Sequence, residues 1–147
     1  MQRIMKNEAD IALFAEELIE KLGTNSKHAT VVGLSGELGA GKTTLTKKIA
    51  NHLSISEEIL SPTFVIAKYY PIPNGKWSEL VHIDAYRIED ERELLPLRFA
   101  ELLTDPQKLI IIEWPEKIKG AYPKYSTTIQ LTFVDEVTRY IETKNEL

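Results

Sequence analysis

The chain has 147 residues, 43% of them hydrophobic and 27% charged, with a net charge of -4 and no cysteine. That length suits a single domain over 1–147, with a core burying roughly two-thirds of the unfolded surface. These figures exclude a disordered chain, a disulfide scaffold, thiolate catalysis and Cys-built metal sites; 22 Asp+Glu against 18 Lys+Arg argue against holding nucleic acid by bulk charge.

The apolar runs are too short to span a bilayer, and the first ten residues, MQRIMKNEAD, have no apolar signal region. The expectation is a cytoplasmic protein without membrane or disulfide partners. Asn7 can cap a helix, with Asp10 three residues on in a capping-box-like place. Ile11, Phe14, Ala15, Leu18 and Leu22 follow at helical spacing, and Gly23 can end the helix. Residues 29–35, ATVVGLS, read as a buried strand. A Gly-rich turn at 36–41 leads into a helix from Lys42 to about Leu53, with Leu45, Ile49 and Leu53 on one face.

A connector ends at Ser61–Pro62. Residues 63–70 and 80–86 read as strands of a hairpin, joined through turn signals at 71–76. Residues 89–103 predict helix in two pieces, because Pro96 interrupts a helix interior. Residues 108–114, KLIIIEW, are the clearest buried strand, and Pro115 and Pro123 bracket a loop. Residues 126–133 alternate, placing Ile129, Leu131 and Phe133 on one face; 138–143 pair with them across Asp135–Glu136. Strands separated by helices predict an α/β fold with a mixed sheet and antiparallel strands at an edge.

Gly36-Glu37-Leu38-Gly39-Ala40-Gly41-Lys42-Thr43 matches G-x-x-x-x-G-K-[ST], between a strand and a helix as the motif requires. Gly36, Gly39 and Gly41 let the backbone wrap so that its N–H groups face phosphate oxygens. The helix start offers its positive end to the same anion. Lys42 places an ammonium at the β- and γ-phosphates, Thr43 offers a hydroxyl to Mg²⁺, and Thr44 is in reach of the α-phosphate. A structural Gly-rich turn is the bland alternative.

The rest of such a site needs a carboxylate on the metal side and a group that orients the nucleophile. Glu113 ends the run LIII and Asp84 ends VHI, both at strand carboxyl ends. Either can orient water or hold Mg²⁺, so both are metal and catalytic candidates. Thr63 can touch Mg²⁺ or the γ-phosphate as a switch segment does, or be an ordinary strand threonine. His82 shares a strand face with Asp84; two groups are too few for zinc, so it reads as core or as support behind the acids. Arg87 can reach phosphate or pair with the acidic run at 89–93. Tyr86 and Trp114 adjoin the acids and suit packing or a partner contact. No Asn-Lys-x-Asp signature is present, which favours ATP over GTP.

The ordered set SGELGAGKTT (35–44), SPTF (61–64), HIDAYR (82–87) and IEWPE (112–116) resembles the TsaE family of tRNA threonylcarbamoyladenosine biosynthesis. The resemblance covers nearly the whole chain. It implies a small P-loop ATPase with a three-layer α/β/α fold and a mostly parallel sheet. It implies a TsaB–TsaD heterodimer as partner, with tRNA engaged indirectly through that complex. It implies ATP and Mg²⁺ at Lys42 and Thr43, a switch role for Thr63, an acid near metal and water at Asp84, and a Walker-B-like acid at Glu113. One departure stands out: the family usually carries Gly soon after the Glu-Leu that follows the Asp-Tyr-Arg segment, and here Pro96 falls in that neighbourhood. Two alternatives share the phosphate loop. A small-molecule or nucleoside kinase needs an acceptor pocket under an Arg-rich lid. A nucleotide-gated binding module needs no hydrolysis.

Overall fold

The structure is a computed structural model that describes residues 2–60 and 66–144. The elements, in chain order, are β1 (Gln2–Met5), α1 (Glu8–Lys21), β2 (Thr30–Ser35), α2 (Lys42–His52), β3 (Ala67–Pro71), β4 (Glu79–Asp84), α3 (Phe99–Leu102), β5 (Lys108–Glu113), β6 (Thr127–Phe133) and β7 (Arg139–Thr143). Short 3-10 helices cover Glu91–Leu97 and Pro115–Ile118. The predicted start of a strand at 63, and Thr63 itself, lie outside the described residues.

Among the described residues the strands form one seven-stranded sheet in the order β1-β7-β6-β2-β5-β4-β3. β2 runs parallel to both β5 and β6, and β4 runs parallel to β5. β3, β7 and β1 are antiparallel additions at the two edges, as the alternating C-terminal pattern predicts. β1 is not visible in the sequence pattern. Its four residues do not alternate cleanly, and Ile4 is exposed while Met5 is buried; the strand exists because β7 offers an open row of hydrogen bonds.

The two faces of the sheet explain the continuous apolar strands. Val32, Leu34, Leu109, Ile111, Ile129 and Leu131 pack under α1 and α2, against Ile11, Phe14, Leu18, Leu45 and Ile49. Val31, Val81, Ile83, Ile110 and Ile112 face the other way and are covered by Leu94, Phe99 and Ile118 from the short helices. Strands buried on both faces cannot alternate. Each such side chain contributes about 1.5–3 kcal/mol relative to an exposed one. Phe133 departs from the predicted inner face: at the end of β6 it is 53% exposed, with the Arg139 guanidinium 4.7 Å above its ring.

The ends of α1 are set by particular side chains. Asn7 Oδ1 accepts the Asp10 N–H at 2.9 Å, and Asp10 Oδ2 accepts the Lys6 N–H at 2.8 Å. This is the expected cap, with the return bond made one residue earlier than in a capping box. The far end is not a glycine cap. The chain leaves the helix extended at Leu22, and Lys76 Nζ donates to the carbonyls of Ile19, Glu20 and Leu22 at 3.1, 3.0 and 2.8 Å. An ammonium on the negative helix end thus replaces the predicted Gly23. The segment 89–103 forms two pieces as predicted, but the break falls at Arg98, φ 54°, and not at Pro96. Its first piece is a 3-10 helix with Pro96 inside, started by a capping box between Asp90 and Glu93. Leu94 is its one buried residue, too little to hold an amphipathic α-helix in place.

Candidate functional site

β2 ends at Ser35 and the chain wraps back on itself before α2. Gly36, Gly39 and Gly41 have φ of 151°, 80° and 103°. A Cβ on Gly36 would stand 2.5 Å from the Leu131 carbonyl oxygen of β6, so only glycine fits there. Gly41 is the N-cap of α2 and offers no side-chain cap, and the first turn of α2 carries no acid. The leading N–H groups of α2 therefore lack side-chain acceptors, an arrangement suited to an anion. Glu37, Leu38 and Gly39 are exposed, and Ala40 is buried beneath them.

Lys42 is buried, and Nζ donates to the carbonyl oxygens of Gly36 and, at 2.9 Å, Glu37. The ammonium is thereby held across the mouth of the loop. It also stands 4.4 Å from the centroid of the Trp114 ring. Burial lowers its pKa, and the carboxylates of Glu113, Asp84 and Glu116 oppose that shift. Thr43, the next residue on α2, places Oγ1 3.4 Å from Glu113 Oε1. Thr44 follows, half-buried.

The parallel pairing of β4 with β5 sets Asp84 directly beside Glu113. Both lie at strand carboxyl ends next to the loop that follows β2, where open α/β sheets gather their ligands. Burial raises the Asp84 pKa and the neighbouring Glu113 adds to it; the hydrogen bond from the Tyr86 N–H to Asp84 Oδ1, 3.0 Å long, opposes the shift. Trp114 follows Glu113 in the left-handed region, φ 61°. For a bulky residue that conformation costs about 1–3 kcal/mol. It turns the indole toward Lys42 and Tyr86, whose ring centroid is 5.1 Å away.

The sequence candidates Gly36–Thr44, Asp84 and Glu113 thus meet at one end of the sheet. Arg87 is exposed and forms no ion pair among the described residues; Asp90 pairs with Arg92 instead. The sequence placed His82 only loosely. Nε2 lies 2.6 Å from Glu113 Oε2, and the ring is fully buried. The readable signal was its period-two relation to Asp84; the missing fact was that β5 lies alongside β4. Among the described residues no group of three or more His, Cys, Asp or Glu gathers to hold a metal alone. The hydroxyl of Thr43 with one or two carboxylates could supply hard-oxygen ligands to a small divalent cation that takes the rest from a ligand and water.

A parallel sheet core, a glycine loop between β2 and α2 and acids on adjacent strand ends define a P-loop NTPase-type α/β fold. The crystal structure of Bacillus subtilis YdiB is similar, with a TM-score of 0.75 at 26% identity, covering 97% of this chain and 83% of that one. The model of the family described as threonylcarbamoyl adenosine biosynthesis protein TsaE matches residues 5–141, and the chain belongs to the TsaE family. Similar relatives include the TsaE protein of Rickettsia typhi, 33% identical over 97% of this chain and 93% of the relative. The TsaE protein of Streptomyces coelicolor is 44% identical over 68% of this chain and 66% of the relative. Among the described residues no helix is long and apolar enough to cross a membrane.

Proposed function

We propose that this chain is a Mg²⁺-dependent ATPase acting in tRNA threonylcarbamoyladenosine biosynthesis, in the cytoplasm. Its turnover serves a TsaB–TsaD-type heterodimer, through which it meets tRNA indirectly. The observation that carries the reading is the approach of Thr43 Oγ1 to Glu113 Oε1, 3.4 Å, beside a loop whose amides and Lys42 suit phosphate. A structural turn has no use for a buried lysine and a strand-end carboxylate at that place. The pathway and the partner rest on family membership.

The residues divide the work as follows. The amides of residues 36–43 hold the β-phosphate, with Thr44 in reach of the α-phosphate. Lys42 neutralises charge between the β- and γ-phosphates as it develops. Thr43 and Glu113 stand on the metal side, and Mg²⁺, when bound, polarises the phosphoryl oxygens and screens their charge. Asp84 faces the water that attacks the γ-phosphorus. The new P–O bond forms to that water as the bond to the β-γ bridging oxygen breaks, and ADP leaves with the bridging oxygen. Water gives up its proton to solvent or to an acid beside it. Thr63, outside the described residues, is assigned the switch role by the family resemblance alone. Arg139, whose Nε would stand 3.7 Å from a Cβ on Gly41, spends Nη1 on the carbonyls of Asp135 and Thr138; with no free arginine finger obvious in the sequence, hydrolysis by the chain alone is slow and a partner accelerates it.

The kinase alternative needs an arginine lid. Arg92 and Arg98 are instead exposed and paired with Asp90 and Glu101. The test is ATP hydrolysis by the purified chain, alone and with a TsaB–TsaD pair, with Lys42→Ala and Glu113→Ala as controls. The expected result is slow turnover alone and strong stimulation by the pair, abolished in both variants. Bound ATP with no stimulation would instead send the search to a phosphoryl acceptor or to another partner.

A further inference from the structure

His82 is a buried polar group that the reading of the site leaves without a role. It is 0% exposed, on the face of β4 that also carries Leu80 and Asp84 toward α2. A purely structural buried histidine has both ring nitrogens satisfied. Here Nδ1 has no partner among the described residues. Among the described residues the ring's one polar contact is Nε2 to Glu113 Oε2, 2.6 Å. A carboxylate only accepts, so the ring donates through Nε2–H in that contact. An aliphatic side chain would fill the space without burying a polar atom. Among the described residues the imidazole is therefore explained by Glu113.

Glu113 is itself 3% exposed, and its two oxygens have separate partners. Oε2 is taken by His82, and Oε1 points to the Thr43 hydroxyl at 3.4 Å. Thr43 is too distant to fix the carboxylate alone. Without His82 the carboxylate plane is free to turn about its last torsion. Asp84, directly beside it, has among the described residues the Tyr86 N–H on one oxygen.

We propose that His82 is a positioning residue. It holds Oε2 of Glu113 so that Oε1 is preset against Thr43 on the metal side, which leaves Asp84 as the acid that faces water. The proposal rests on the ATPase reading and assigns different jobs to two carboxylates that the sequence left interchangeable. Outer partners of metal-side ligands typically contribute about 10–100-fold in metal affinity or activity.

The test compares wild type with His82→Leu, which has no donor, and His82→Gln, whose terminal amide can replace Nε2–H. Two readouts are independent of turnover: ATP affinity in EDTA, and the Mg²⁺ concentration that half-saturates the metal-dependent change in ATP affinity. Turnover at saturating Mg²⁺ is the third. The expected result is wild-type ATP affinity in EDTA for both variants. His82→Leu needs about 10–100-fold more Mg²⁺ and has a lower kcat, while His82→Gln recovers most of both. If His82→Leu is unfolded at the assay temperature, His82→Asn replaces it; its shorter amide does not reach Glu113, and the same deficit is expected. A donorless variant with the wild-type Mg²⁺ requirement overturns the proposal, as does a Gln variant as impaired as the Leu variant. A wild-type chain that binds ATP neither in EDTA nor with Mg²⁺ overturns the ATPase reading, and this proposal with it.

Discussion

Gly36→Ala separates the geometry of the phosphate loop from its composition. The new methyl would lie 2.5 Å from the Leu131 carbonyl oxygen and 3.1 Å from Ala40 Cβ, against an ordinary carbon–oxygen contact of about 3.3–3.6 Å. Leu131 O belongs to a strand held on both sides, so it cannot retreat cheaply. The φ of 151° adds backbone strain. Strain of about 1–3 kcal/mol and overpacking of about 1–3 kcal/mol, partly relieved by movement of the loop, leave a loss of about 2–5 kcal/mol. For a chain of this size each kcal/mol lowers Tm by about 3 °C, so Tm falls by roughly 5–15 °C. Gly39→Ala is the internal control: its φ is 80°, but its methyl meets nothing within 4 Å, so only the backbone term of about 1–2 kcal/mol applies. The assay is thermal unfolding of both variants, followed by ATP titration below their transitions. Gly36→Ala should lose more stability than Gly39→Ala and lose ATP binding as well. The reasoning fails if Gly36→Ala keeps both its Tm and its ATP affinity, or if the two variants rank the other way.

Other consequences can be checked together. Asp84 has a raised pKa, chiefly from burial, so between its unfolded and folded pKa values the native state binds more protons than the unfolded state. That contribution to stability is fully present below the unfolded pKa and is lost as pH rises through the folded one. Asp84→Asn, which keeps the acceptor for the Tyr86 N–H, should raise Tm near neutral pH, with the gain vanishing in acid, while hydrolysis is lost. Lys42→Ala should lower kcat by on the order of 10²–10³-fold, the scale of removing one preorganised charge-stabilising group, measured as ATP turnover with the partner present. The chain has 2 tryptophans, and only Trp114 lies at the site, 4.4 Å from Lys42 Nζ. ATP should therefore change the intrinsic fluorescence of Trp77→Phe and leave that of Trp114→Phe unaltered. Asn7→Ala should cost about 1 kcal/mol through loss of the α1 cap, read as a small fall in Tm with unchanged ATP affinity.

The sequence carried the parallel core and the phosphate loop because each depends on local pattern. Apolar runs at 29–35 and 108–114 have no exposed face to alternate with, and three glycines before Lys42 and Thr43 have few other uses. Edges and ends were less legible. β1 depends on a strand more than a hundred residues away, and the end of α1 is set by Lys76 rather than by Gly23. Phe133 keeps the alternation of β6 but lies beyond the helices that would cover it. The acids were found at the correct strand ends. Their neighbourhood was not: His82 meets Glu113 only because β4 and β5 are adjacent and parallel, and no pattern within either strand states that.

The most direct test of the central claim is a crystal structure with Mg²⁺ and a non-hydrolysable ATP analogue. The account predicts the β-phosphate in the amides of residues 36–43, Lys42 Nζ between the β- and γ-phosphates, and the metal between Thr43 Oγ1 and the Glu113 side. Nucleotide bound away from the loop, or metal seated on Asp84 with Glu113 turned away from Thr43, would contradict it.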